Sequence, residues 1–185
     1  MITSILSYVS SLDSSILYAI QSIGPTWRPV AMFLSYGLGY WSLIVAFLVA
    51  LFLLRRHRVA LELIVVVIVS LAATLILKEM FHAARPYVVD PSVIKYDTDS
   101  GPGLPSAHAL MTMVVLGWIV IRHPKSRILV WGSVSLVLLI GLSRIYLGVH
   151  YPSQVLAGWL FGILFLYIFR VIDKRLWAPF QKKLR

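Results

Sequence analysis

The chain has 185 residues, 59% of them hydrophobic, and a mean hydropathy of +0.87, which excludes an ordinary soluble domain. Its net charge of +10 sits mostly in short turns and the tail between and after apolar runs, so nucleic acid is not the partner it implies. With no cysteine, disulfides and thiol chemistry are excluded.

A helix crossing a hydrocarbon core of about 30 Å needs about 20 mainly apolar residues. The opening segment, residues 1–27, shows no basic, leader-like start. Its stretch Ile2–Ile23 is interrupted by Asp13, Gln21 and many serines, and is expected to span or, by slight preference, to lie on the surface. Five clearer runs follow: Met32–Leu54, Val59–Leu77, Ser106–Ile121, Ile128–Tyr146 and Val155–Ile172. The expected fold is all-α, a polytopic transmembrane helix bundle of five to six spans, with residues 1–185 as one domain.

Arg55, Arg56 and Arg58 follow the first run, and Arg122, Lys125 and Arg127 fill the turn between the third and fourth. Arg170, Lys174, Arg175, Lys182, Lys183 and Arg185 close the chain. Alternating spans put all three groups on one side, which the positive-inside rule makes cytoplasmic, together with the C-terminus. The expected protein is multi-pass in the cell membrane.

Three motifs at the ends of runs fall on the other, extracytoplasmic side, within residues 78–154. In the first, Lys78 and Arg85 are seven residues apart, which on a helix returns both to one face, and Pro86 is expected to end that helix. Two like charges on one face call for a polyanion or read as two snorkelling interfacial cations. His82, between them, is expected to pack at the interface; His57 and His123 fall in basic turns and are expected to be solvated.

The long polar connection Tyr87–Leu104 carries Asp90, Asp97 and Asp99 and reads as a lid or a plain connector. In the second motif, Pro105-Ser106-Ala107-His108, a helix start offers free amides, Ser106 a hydroxyl, and His108 a proton for a departing oxygen. In the third, Ser143 and Arg144 end one run and His150 stands before the next, where a helix N-terminus keeps imidazole neutral. Arg144 adds a cation suited to bidentate phosphate recognition. No metal-ligand spacing and no nucleotide-binding glycine loop are present.

Gly158 and Gly162 form a small-xxx-small pair expected to pack inside the bundle. Tyr36, Tyr40, Trp41, Tyr146, Tyr151, Trp159 and Trp177 fall near run ends, where interfacial anchoring explains them.

Together the motifs resemble the type 2 phosphatidic acid phosphatase superfamily, whose pattern is K-x6-R-P, P-S-G-H and S-R-x5-H-x3-D. The first motif matches fully; Ala107 stands where Gly is usual, and Gln154 where Asp is expected. The run around Ser143–Gln154 is also similar to that of glucose-6-phosphatases, which carry Gln at the same place.

The resemblance implies a metal-independent phosphatase without cofactor. His150 attacks phosphorus to form phosphohistidine, and His108 protonates the leaving oxygen and then helps activate water. Lys78, Arg85, Ser106, Arg144 and nearby amides, with Ala107 and Ser143 beside them, hold the phosphoryl oxygens. Gln154 orients His150 without adding charge, which implies slower chemistry with the orientation kept; Asp13 or Glu79 is a carboxylate that would compensate, and Gln154→Asp is expected to keep or raise activity. The implied substrate is a lipid phosphate or diphosphate among membrane lipids, isoprenyl diphosphate first, then phosphatidylglycerol phosphate, phosphatidic acid or lipid A. A lipid phosphotransferase with the same site and a silenced lipid-binding or transport protein are the competing readings. The oligomeric state is not indicated.

Overall fold

The computed structural model describes residues 2–173; Lys174, Arg175, Trp177, Lys182, Lys183 and Arg185 lie outside the described residues. Among these there are helices and no strands: α1 (Ile2–Gln21), α2 (Arg28–Met32), α3 (Tyr40–Leu53), α4 (His57–Phe81), α5 (Pro86–Val89), α6 (Ala107–Arg122), α7 (Arg127–Tyr146) and α8 (Pro152–Ile172).

Helix α6 is the axis of the bundle, packed against α8, α7, α4 and α3. Leu110, Met111, Val114 and Val115 are completely buried on it. A helix surrounded by protein is apolar on all sides without touching lipid. Its 16 residues are fewer than a span requires, whereas α4, α7 and α8 are long and apolar enough to cross a membrane. Their outer faces expose Leu61, Ile68, Leu75, Leu138, Leu160 and Ile163, an apolar belt suited to acyl chains.

The close α6–α8 approach depends on the expected glycine pair. A Cβ at Gly158 would lie 2.7 Å from the Ser106 carbonyl oxygen, and one at Gly162 would lie 2.8 Å from Met113.

The first expected span, Met32–Leu54, is not one helix. It divides into α2, a π turn over Phe33–Gly37, and α3, with a 45° bend between the two halves. Gly39 adopts an extended conformation there, packed against the Ser35 carbonyl. Counted as one span, this bent pair makes a fourth crossing. The break has a consequence for the site, because it turns Ser35 and Tyr36 inward to polar partners.

Helix α1 uses the polar residues that interrupt its sequence. Asp13 accepts from the Ser153 amide at 2.8 Å, and Gln21 donates to the carbonyls of Ile94 (2.7 Å) and Tyr146 (3.0 Å). Leu17 is fully buried against Val93, Ala109, Ile145 and Val155. These contacts all lie where α7 ends and α8 begins. At the other end of the bundle, Arg122 pairs with Glu62, joining the end of α6 to the start of α4.

Candidate active site

The first motif reaches the site by a route other than the expected one. Helix α4 ends at Phe81, and His82 caps it in the left-handed conformation, φ 44°. The His82 side chain is exposed, 3.9 Å from Glu79. Arg85 is extended, φ −88° and ψ 158°, and Pro86 begins α5 instead of ending a helix. Proline suits a first helical position, where its missing N–H is not needed. Lys78 and Arg85 therefore meet because the chain turns back, not because they share a helical face.

His150 follows a tight turn after α7. Gly148 makes that turn at φ +74°, where a Cβ would strike the Ile94 carbonyl. The imidazole is buried and held at both nitrogens. Arg85 Nη1 lies 3.3 Å from Nε2, while Nδ1 lies 2.9 Å from the Gly103 carbonyl oxygen and 3.2 Å from Gln154 Oε1. Guanidinium can only donate and a carbonyl can only accept. The network thus assigns the proton to Nδ1 and leaves the lone pair on Nε2. Burial holds His150 well below its ordinary pKa, the charges of Arg85, Arg144 and Lys78 push the same way, and only the Gln154 hydrogen bond opposes them. Both effects favour the neutral ring, with a lone pair on Nε2 that is chemically able to act as a nucleophile.

Gln154 uses both ends of its amide. Oε1 accepts from the Tyr151 amide at 3.2 Å as well as facing His150, and Nε2 donates to the Ala84 carbonyl at 2.8 Å. It thus ties His150 and the start of α8 to the strand of chain leading into Arg85. Gly103 passes so close that a Cβ there would lie 2.6 Å from the Gln154 amide.

Arg144 is fully buried on the last turn of α7. Its Nη1 donates to Asp97 at 2.9 Å and to Ser35 at 3.2 Å, and its Nη2 donates to Asp99 at 2.8 Å. Tyr36 donates to the same Asp97 at 2.7 Å. Ser143 turns its hydroxyl to the Ile140 carbonyl (2.7 Å) and lies 2.9 Å from Ser35, so it sits behind Arg144, supporting the residue that supports the guanidinium.

The connection 87–104 is the acceptor side of the site. Ser100 and Gly101 carbonyls accept from Arg85 at 2.9 and 2.8 Å, Pro102 accepts from Lys78, and Gly103 accepts from His150. Four consecutive carbonyls thus take up four site donors. Asp99 adds its carboxylate, 3.1 Å from Arg85 and 3.8 Å from His150 Nε2. Burial pushes the Asp99 carboxyl up, but Arg85 and Arg144, then His108 and Lys78, outweigh it and hold it below the usual range.

Next to Asp99 opens a cavity of about 280 Å³, lined among others by Tyr40, Leu75, Lys78, Arg85, Ala107 and His108. Ala107 forms its wall at the first turn of α6. His108 is met edge-on by the rings of Tyr40 at 5.1 Å and Tyr36 at 5.8 Å. Ser106 caps α6 and is fully buried, yet its hydroxyl has no hydrogen-bond partner; nor does the Nε of Arg144. Buried donors without partners mark a place where a ligand oxygen would be welcome.

All nine expected site residues come to this end of the bundle. Five residues that sequence reasoning did not assign to the site join them: Asp97, Asp99, Ser35, Tyr36 and Tyr40. Tyr36 and Tyr40 belong to the site rather than to an interfacial belt, and buried Tyr146 donates to the Gly24 carbonyl at 2.6 Å. Asp13 is engaged with Ser153, while Glu79 lies 3.9 Å from His82 at the rim of the same cavity.

Residues 59–177 match the family model described as the PAP2 superfamily. An undecaprenyl-diphosphatase from Sulfolobus acidocaldarius is 29% identical over 140 residues, covering 74% of this chain and 66% of that protein. The glucose-6-phosphatase catalytic subunit 1 of Canis lupus familiaris is 31% identical over 155 residues, covering 69% of this chain and 43% of that protein. The chain therefore spans about two thirds of the first relative and less than half of the second. The crystal structure of a transmembrane PAP2-type phosphatidylglycerolphosphate phosphatase from Bacillus subtilis shares the fold, with a TM-score of 0.75 at 22% identity over 91% of this chain and 88% of that one. The family match, the apolar helices and the three motifs at one end of the bundle agree: the chain belongs to the PAP2 superfamily, as an integral membrane member.

Proposed function

We propose that this protein is a membrane phosphatase that hydrolyses a lipid phosphate or diphosphate, isoprenyl diphosphate foremost, through a phosphohistidine at His150. The observation that carries the reading is a neutral imidazole with its lone pair on Nε2, among Lys78, Arg85 and Arg144. The Nε2 lone pair forms a bond to phosphorus as the phosphorus–oxygen bond to the leaving group breaks. His108 gives its proton to that oxygen. Water, deprotonated by His108, then attacks phosphorus, inorganic phosphate leaves and His150 regains its lone pair.

Lys78, Arg85, Arg144 and the Ser106 hydroxyl supply the positive charge and donors that the phosphoryl oxygens need as charge shifts in the transition state. That charge makes a metal unnecessary. The undecaprenyl-diphosphatase relative supports an isoprenyl substrate, as does a cavity bounded by α3, α4 and α6, where a lipid enters sideways from the bilayer. The placement of the basic turns at the end opposite the site supports chemistry on the extracytoplasmic side.

The test is phosphate release by the detergent-purified protein from a panel of isoprenyl diphosphates, phosphatidylglycerol phosphate, phosphatidic acid and lipid A, with EDTA present. The expected result is release from one lipid class, reduced at least about 1,000-fold by His150→Ala. Transfer of phosphate to a second lipid without release would favour a phosphotransferase. Binding without turnover, indifferent to His150→Ala, would overturn the enzymatic reading.

A further inference from the structure

We propose that the Asp99 carboxylate is a resident mimic of the substrate phosphate: it fills the phosphoryl seat of the empty site, and substrate binds by displacing it. The inference rests on the phosphatase reading above and concerns what sets that site's affinity.

The geometry begins with what Asp99 touches. A single oxygen, Oδ2, lies 3.1 Å from Arg85 Nη1, 2.8 Å from Arg144 Nη2 and 3.8 Å from His150 Nε2. Two guanidinium groups and a nucleophile converging on one anionic oxygen are what a phosphoryl group would demand. Among side chains, the carboxylate is the anion able to satisfy those donors when phosphate is absent.

Access points the same way. Asp99 lines the open cavity, whereas His150 and Arg144 do not, being 1% and 0% exposed. Asp99 contacts both and, with Arg85, links the cavity to the nucleophile, so a phosphoryl group that takes Nε2 and the two guanidinium groups needs the place Oδ2 holds.

The loop is built so that the side chain can leave alone. Its backbone stays fastened: the Asp99 carbonyl accepts from Tyr87 at 2.9 Å, the next four carbonyls accept from Arg85, Lys78 and His150, and Asp97 remains on Arg144 and Tyr36. Asp99 is also the more accessible of the two site aspartates, with its side chain 29% exposed against 2% for Asp97. The two acids thus divide the work. Asp97 is fixed and aims Arg144, while Asp99 is the exchangeable anion. Arg144 Nε, on the same guanidinium, has no partner within the protein, and a phosphoryl group has more oxygens than a carboxylate with which to engage it.

The energetic consequence is competition within the molecule. A ligand that needs a fraction of the molecules to have Asp99 withdrawn binds more weakly by that fraction. Removing the competing charge raises affinity, and a ligand with more negative charge displaces Asp99 more readily than one with less. Asp99 thereby favours phosphomonoester dianions and diphosphates over phosphodiesters.

The experiment measures binding of inorganic phosphate to the detergent-purified full chain, by calorimetry and by the rise in melting temperature, for wild type, Asp99→Asn and Asp99→Glu. Lipid phosphate hydrolysis is followed beside it. Asp99→Asn is expected to bind phosphate at least about tenfold more tightly and to lower KM. Asp99→Glu, which keeps the anion, is expected to bind as weakly as wild type. If Asp99→Asn is stable only with phosphate present, the phosphate dependence of its melting temperature reads the same affinity. Phosphate binding by Asp99→Asn no tighter than by wild type, while wild type hydrolyses lipid phosphate, overturns the mimic and leaves the phosphatase standing. No phosphate binding by any variant and no hydrolysis by wild type would remove both.

Discussion

The bundle has an arginine–carboxylate pair at each end, and the two differ in nearly every respect. Arg122 and Glu62, at the end away from the site, have side chains 29% and 24% exposed, and the guanidinium lies 3.9 Å over the Trp118 ring. Arg144 and Asp97, at the site end, are 0% and 2% exposed, with a 2.9 Å contact. Desolvating two charges is expensive, and replacement by apolar residues is often as stable. A pair kept at full burial therefore points to a use beyond stability. Asp97 and Ser35 take one guanidinium nitrogen of Arg144, Nη1, and leave Nη2 to Asp99. At the opposite end the charge needs only the topology of the membrane to explain it.

The sharpest way to break this contrast is Asp97→Asn. Removing one partner leaves Arg144 buried beside acceptors that no longer balance it, and the expected loss is about 3–5 kcal/mol of stability. Denaturant unfolding of the detergent-solubilised protein measures it. Phosphate binding should weaken as well, because Tyr36 and Asp97 no longer fix the guanidinium. An effect below about 1 kcal/mol would make the buried pair no different from a surface one.

Gln154→Asp tests the site end with a smaller change. Sequence comparison alone favours the carboxylate, since it would stabilise the developing imidazolium. The hydrogen bonds of Gln154 argue for the opposite outcome. Gln154 Nε2 donates to the Ala84 carbonyl, and Asp has no N–H to give and is one methylene shorter. The new carboxylate would lie near the Ala84 and Gly103 carbonyls, acceptor against acceptor. Losing a buried hydrogen bond in this way costs about 1–3 kcal/mol, so kcat is expected to fall about 10- to 100-fold with KM nearly unchanged. A higher kcat would show that charge at this position outweighs the tether.

What the sequence made legible follows the range of the interactions. The motifs are local, each within a few residues of a helix end, so Lys78, Arg85, Ser106, His108, Arg144, His150 and Gln154 could be assigned to one end from run boundaries alone. The α6–α8 glycine pair was legible for the same reason. Asp97 and Asp99 were not, because their partners Tyr36, Arg85 and Arg144 lie 14 to 61 residues away in the chain and no spacing announces them. The break at Phe33–Gly37 is hidden inside an apolar run, where hydropathy does not distinguish a bent helix from a straight one. With it went the roles of Ser35 and Tyr36. The helix predicted through Lys78–Arg85 failed for a related reason: periodicity brings residues together only while the helix lasts, and here His82 ends it first.

The smallest expected effect is at the other end. Arg122→Ala removes a partly exposed ion pair and the contact with Trp118, for which about 0–1 kcal/mol from the pair and about 0.5–1 kcal/mol from the ring are ordinary values. From Ala107 to Arg122, α6 rises about 1.5 Å per residue, which puts Arg122 more than 20 Å from the cavity wall. Activity toward a lipid phosphate should therefore be unchanged, and orientation should hold because Arg55, Arg56, Arg58, Lys125 and Arg127 remain on the same side. Unfolding and phosphate release measured on the same preparation decide the matter. A loss comparable to that of Asp97→Asn would mean that Glu62 and Arg122 fasten α4 to α6 as a structural element, and that accessibility alone does not separate the two ends. A small stability change with unchanged release would place the demanding electrostatics of this bundle at the site end, where burial is maintained by chemistry rather than by packing.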